Sequence, residues 1–218
     1  MFPPSTANVQ PPESTQVILN ERFQRTALDP RLRWLNPPPA WEIDPSVPAL
    51  VVRPASPTDF WQETHYGFRA DNGHFLFTEV AGDFTITTKV RFHPAHQYDQ
   101  AGLMIRLGPR CWIKASVEHE PHGPARLGAV VTNHGYSDWS VQDFPRDSRE
   151  VCLRIRKEKW DFIIEFSPDE HNTWNLMRIA HLSAENAAPL SAGLYACSPK
   201  GAGFRAEFCF LEIARPGS

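Results

Sequence analysis

Seven residues between positions 100 and 118 carry the most distinctive chemistry in this chain: Gln100, Met104, Arg106, Trp112, Lys114, Ser116 and Glu118. All are even-numbered, and they fall in two apolar-alternating runs joined by Leu107-Gly108-Pro109-Arg110, a Gly-Pro turn. A period of two puts them on one face of a β-hairpin. Ala101, Leu103, Ile105, Cys111, Ile113, Ala115 and Val117 fall on the other face, which reads as core. An indole, a thioether, an ammonium, a guanidinium and a carboxylate together are unusual for a solvated sheet. Trp112 and Met104 are expected to stand exposed beside the charges and to contact a ligand. Aromatic rings stack on sugar C–H faces, while fixed charges orient hydroxyls or carboxylates. Arg154 is expected to join this face together with Arg156, and Arg106, Lys114 and Arg154 make an acidic metabolite an option beside a saccharide. The plainer alternative is a pair of ordinary ion pairs, Lys114–Glu118 and Arg106–Glu118.

Other candidates lie outside that hairpin. Trp61, Thr64, Tyr66 and His74, with Asp138 and Trp139 in a loop over Ser137–Ser140, could close over a ligand from the rim. If the chain is an enzyme, an isomerase, lyase or cyclase, then Lys114, Glu118 and His74 are its acid–base candidates. Glycosidase chemistry has weaker support: Glu118-His119-Glu120 is the nearest paired-carboxylate run, and Pro121 follows it directly. His93-Pro94-Ala95-His96 and His119-Glu120-Pro121-His122 read as loop histidines, because proline breaks the helix on which such ligands converge. No metal and no cofactor is expected, since no phosphate loop, dinucleotide fingerprint or nucleophile elbow is present.

These residues need a scaffold of short strands. From Trp34 onward, alternating runs recur about every ten residues, from Trp41–Ile43 through Phe84–Phe92 and Val151–Lys157 to Phe204–Ile213. About a dozen strands without a long amphipathic helix imply an all-β, two-sheet sandwich or jelly roll. Residues 1–33 read as an N-terminal extension, a Pro-rich arm followed by a short helix over Ser14–Arg25 capped by Ser14. The sandwich is expected over 34–213, with 214–218 as a tail.

Composition narrows the partners. With 218 residues, a net charge of -3 and a pI near 6.3, the chain lacks the basic footprint of a nucleic-acid binder. It has no run of the ~20 apolar residues that a membrane helix needs. Neither a basic start nor an apolar stretch marks a secretory leader, and the four cysteines are scattered. Reduced thiols in a cytoplasmic protein are the simplest expectation. The oligomeric state is not legible.

Several motifs carry a more specific signal. Thr58-Asp59-Phe60-Trp61, Tyr66-Gly67-Phe68, Asp71-Asn72-Gly73-His74-Phe75, Gly82-Asp83-Phe84 and Tyr98-Asp99-Gln100-Ala101-Gly102-Leu103-Met104 resemble the DUF1349 family. So do Trp112-Ile113-Lys114, Ser137-Asp138-Trp139-Ser140, Cys197-Ser198-Pro199 and Gly203-Phe204, in order over residues 34–213. This family, also called regulation-of-enolase-protein-1-like, is grouped with the concanavalin A-like lectins and glucanases. The resemblance implies a jelly roll with a concave sheet able to hold a ligand, and a metabolic enzyme as a further candidate partner. It implies no settled activity. Asp169-Glu170-His171-Asn172-Thr173-Trp174 is longer than the family's usual turn before a tryptophan.

Overall fold

In the computed structural model the chain forms seventeen strands and no helix among the described residues, 16–44, 46–168, 173–183 and 189–216. In chain order, β1 is Gln16–Glu21, β2 Arg33–Leu35, β3 Ala40–Asp44, β4 Ala49–Arg53, β5 Phe60–Gln62 and β6 Arg69–Asp71. Next come β7 (His74–Val80), β8 (Phe84–His93), β9 (Gln100–Gly108), β10 (Cys111–Glu118), β11 (Ala125–Asn133) and β12 (Tyr136–Phe144). The last five are β13 (Glu150–Glu158), β14 (Asp161–Ser167), β15 (Asn175–His181), β16 (Leu190–Cys197) and β17 (Arg205–Arg215). The Pro-rich arm and the long Asp169–Asn172 turn lie outside the described residues.

Two antiparallel sheets pack face to face as a jelly-roll sandwich. One runs β15-β14-β13-β8-β17-β4-β3, with β1 also on β17; the other runs β12-β11-β10-β9-β16-β7-β2. A separate two-stranded hairpin is formed by β5 and β6. The alternation in β8 is complete: Phe84, Ile86, Thr88, Val90 and Phe92 are buried, and the residues between them are not. Phe84, Ile86, Val90 and Phe92 meet Leu103, Ile105, Ile113, Ala115 and Val117 of the opposite sheet in the main core. Each such side chain withdrawn from water contributes about 1.5–3 kcal/mol before chain entropy is counted.

Strands β9 and β10 depart from simple alternation. Gln100 to Arg106 and Trp112 to Glu118 are buried without a break, because both faces of this sheet region are covered. The second cover is the β5–β6 hairpin. Phe60 and Trp61 pack with Met104, Trp112, Val130, Tyr195, Phe75 and Cys197 in a smaller cluster outside the main core. Gly73 lets the hairpin's return strand lie this close: a Cβ there would come within 2.4 Å of the Phe60 ring and 2.5 Å of the Cys197 sulfur.

Two expected elements are different in the structure. The segment expected as a helix over Ser14–Arg25 is strand β1 where it is described. Strand β4 covers β17 only over Ala206–Phe208, leaving Leu211–Arg215 with an open edge, and Gln16–Glu21 fills it. The β-branched pair Val17-Ile18 suits that pairing. The Ser137–Ser140 segment is not a loop but part of β12, which returns from β11 through a two-residue turn. His134 and Gly135 both take positive φ, 55° and 84°, as a tight hairpin of this handedness needs.

Candidate functional site

The even-numbered face is shared between a small apolar cluster and an open pocket. Trp112 is 0% exposed, lies edge-on to Phe60 at 6.2 Å, and donates its indole N–H to the Pro109 carbonyl at 3.2 Å. Met104 is equally buried beside it. The expectation that these two stand exposed is therefore corrected: the β5–β6 hairpin covers both. Arg106 is also occupied, making a two-pronged ion pair with Asp71 of β6 at 2.7 and 2.8 Å.

Beyond the hairpin's edge a cavity of about 200 Å³ opens on the same face. Asp59, Gln100, Lys114 and Glu118 supply its polar lining. Trp61, Tyr66, Phe68, Tyr98 and Trp139 supply aromatic surface, and Val130, Pro199 and Lys200 complete it. Register explains the convergence. Glu118 faces Gln100 across β9–β10, Lys114 faces Val130 across β10–β11, and Val130 faces Trp139 across β11–β12. Trp61 is anchored by its indole N–H to the Thr64 carbonyl at 3.1 Å, with the Tyr66 ring 5.5 Å away. Tyr66 and Phe68 remain 54% and 44% exposed at the rim.

The floor is electrostatically uneven. Lys114 is 2% exposed and its ammonium meets Asp59 Oδ1 at 3.0 Å, with the Trp112 and Tyr195 rings just under 6 Å away. Burial disfavours its charge, but Asp59 and Glu118 outweigh burial, and the net displacement of its pKa is upward. Glu118 is 8% exposed, and among the described residues no donor hydrogen-bonds its carboxylate. Burial pushes it up to about 7 against the pull of Lys114, with Asp59 and Glu120 adding to the rise. Gln100 is tied in place, donating to the Tyr98 carbonyl and accepting from the Tyr195 hydroxyl at 3.1 Å.

A carboxyl group of this kind gives folding a defined pH dependence. Its pKa is higher folded than unfolded (about 7 against 4.5), so the folded state binds more protons between those values and stability falls as pH rises through that window. The contribution is fully present below about 4.5 and gone above about 7. Glu118→Gln is expected to flatten this slope and to stabilise the protein at pH 8 by roughly 2–3 kcal/mol. Urea midpoints measured from pH 5 to 8 check it; parallel profiles for parent and variant would exclude the assignment.

Two candidates fall elsewhere. Arg154 is on β13 of the opposite sheet, where its guanidinium bonds Glu165 at 2.8 Å and lies 4.0 Å over the Trp174 ring; Arg156 shares Glu165. His74 is buried, its Nδ1–H donating to the Asn36 carbonyl at 2.6 Å and Nε2 accepting from the Ala55 amide at 2.9 Å. Burial holds its pKa below the usual range, partly opposed by the bond to Asn36. With both nitrogens engaged it fastens loops rather than facing the pocket. The Glu118/Glu120 pair is also split: β10 ends at Glu118, and Glu120 accepts from Gln97. Among the described residues no group of three or more His, Cys, Asp or Glu is placed to hold a metal ion. Asp59, Phe68, Tyr98, Pro199 and Lys200 also line the pocket, beyond the contacts expected from the sequence. All but Lys200 lie within the motifs that carried the family resemblance.

A jelly-roll sandwich with an aromatic-rimmed, acid-and-amine-floored pocket on one sheet is the class of protein that these features define. The chain belongs to the family described as "Protein of unknown function (DUF1349)", whose model matches residues 34–216. It is 35% identical over 183 residues to "Regulation of enolase protein 1" of Saccharomyces cerevisiae, covering 84% of this chain and 89% of that protein. A solved structure of a functionally unknown S. cerevisiae protein superposes with a TM-score of 0.78 at 34% identity, over 86% of this chain and 98% of the other. More distant likenesses include a putative beta-xylosidase of Escherichia coli, 23% identical over 73% of this chain and 29% of that protein. A glycoside hydrolase family 43 protein of Bacillus licheniformis shares the fold, with a TM-score of 0.70 at 15% identity over 89% of this chain and 38% of the other. This chain thus spans about a third of those two proteins and nearly the whole of the yeast one. No helix among the described residues is long and apolar enough to cross a membrane.

Proposed function

We propose that the pocket binds a neutral saccharide ring. The observation that carries this reading is Glu118, a buried carboxyl group lining the cavity with no donor from the protein's own described residues. Its oxygens reach the cavity rather than being sealed in the core, so a sugar hydroxyl can donate to them there. Exposed Tyr66 and Phe68 offer stacking faces for the ring's C–H bonds. The volume, about 200 Å³, is below the ~300–1,000 Å³ usual for drug-sized ligands and suits one small ring. An acidic ligand fits less well: Arg106 and Lys114 are paired with Asp71 and Asp59, Arg154 is on the other sheet, and the remaining cation of the lining, Lys200, shares it with two carboxylates, Asp59 and Glu118. The names of the distant relatives, a xylosidase among them, point the same way. All four cysteines are free, in keeping with a cytoplasmic place of action.

NMR titration with xylose, glucose and arabinose, beside glucuronate and glucose 6-phosphate, tests the proposal. At least one neutral sugar is expected to bind and the anions not. Tyr66→Ala should weaken binding about 3–10-fold, the worth of one aromatic contact. Binding of the anions alone, or no response to any neutral sugar at about 50 mM, overturns it. A second reading, contact with a metabolic enzyme, draws on the yeast relative's name and on Leu176 and Ile179, exposed on β15 of the opposite sheet. Tyr66→Ala leaves that face intact, so an effect of this variant on sugar binding alone separates the two readings.

A further inference from the structure

A second cavity, of about 260 Å³, adjoins the first. The two share Asp59, Phe68, Pro199 and Lys200 as lining residues. The four shared residues place the two cavities side by side at the β5–β6 hairpin edge.

The shared wall has the chemistry of a linkage site. Phe68 presents an exposed ring to both sides. Asp59 Oδ1 is taken by the Lys114 ammonium and the Phe60 amide, while its Oδ2 accepts no hydrogen bond among the described residues. Lys200 is exposed, has no carboxylate partner among the described residues, and holds its ammonium 5.7 Å from the Tyr98 ring. One free acceptor and one free donor thus stand where two successive rings would meet.

The far cavity is different in character. Asn72 is used up within the fold, accepting from the Asp59 amide and donating to the Pro57 carbonyl. Thr58 is likewise engaged, with Ala55 and the Ser198 amide. Pro57, Ala70 and Pro199 leave a smooth lining that suits a C–H face and offers little to select hydroxyl configuration.

We infer that the two cavities act as one groove that binds a linear neutral glycan of at least two units, the selective ring in the Glu118 pocket and the next ring on the Phe68 and Pro199 side. This inference rests on the saccharide reading above. A third unit would extend beyond the second cavity and add little.

A length series on the parent protein tests it, with calorimetry of xylose, xylobiose and xylotriose and of glucose, cellobiose and cellotriose. In the series whose single sugar enters the pocket, the disaccharide is expected to bind at least about tenfold tighter, with one glycan per chain and little further gain from the trisaccharide. Ala70→Trp fills the second cavity from a position outside the first, and should bring the disaccharide down to the monosaccharide's affinity. Equal affinity across the series, or two single sugars bound per chain, overturns the two-unit groove while leaving the pocket reading standing. No binding of any member removes both.

Discussion

Trp112→Ala is expected to lower the stability of the folded chain by about 4 kcal/mol, near the middle of the range for deleting a fully buried tryptophan. The side chain is 0% exposed and packs with Phe60, Met104, Val130 and Tyr195 in the cluster beneath the β5–β6 hairpin. Removing it opens a cavity that Met104, Val130 and Tyr195 cannot close, since they are held in the paired register of β9, β11 and β16. It also removes the ring against which Phe60 is set edge-on, so the hairpin carrying Asp59 and Trp61 loses its main apolar attachment. Denaturant unfolding gives the number directly. A loss under about 1 kcal/mol would mean that Trp112 is not the buried anchor described. Any fall in sugar binding should follow the hairpin's loosening, because the indole does not line the pocket.

That expectation reverses what Trp112 suggests in the sequence, and the reason is physical. Parity along Gln100–Glu118 assigns side chains to faces correctly: Leu103, Ile105, Ile113 and Ala115 do enter the main core, and Lys114 and Glu118 do share the other face. Parity carries no information on what covers that second face. The cover is three-residue strands β5 and β6, too short to show a period, held by the long-range pairs Arg106–Asp71 and Lys114–Asp59. The same limit misassigned Arg154. Its strand alternates as well as β10 does, and only the pairing order, β13 beside β8, puts it on the opposite sheet. Strand β12 was hidden for a local reason, since Val130 faces Trp139 only because the His134-Gly135 turn folds the chain back. The motifs behind the family resemblance were the better guide to the pocket, for Asp59, Phe68, Tyr98 and Pro199 all lie within them.

Lys114→Met should cost about 3 kcal/mol at neutral pH and weaken saccharide binding by unsettling the pocket floor. Methionine keeps the length of the side chain and most of its apolar contacts, so the loss isolates the ammonium. Breaking a buried pair by removing one partner typically costs ~3–5 kcal/mol, because the other charge is left behind. The lower end applies, as the Asp59 side chain is 19% exposed and water can partly replace the ammonium. Asp59→Asn combined with Lys114→Met should recover much of the loss, giving a coupling term that the two single variants do not predict by addition. A second consequence concerns Glu118. Lys114 is the one nearby charge that holds its pKa down, so without the ammonium the carboxyl group moves further above about 7. The pH window over which stability falls then keeps its lower edge near 4.5 and extends above about 7. Unfolding profiles of the single and double variants from pH 5 to 9 test both consequences. Simple additivity of the Asp59 and Lys114 effects, with an unmoved pH window, would mean that the three groups do not act as one electrostatic unit, and the pocket floor would lose its claim to select a ligand.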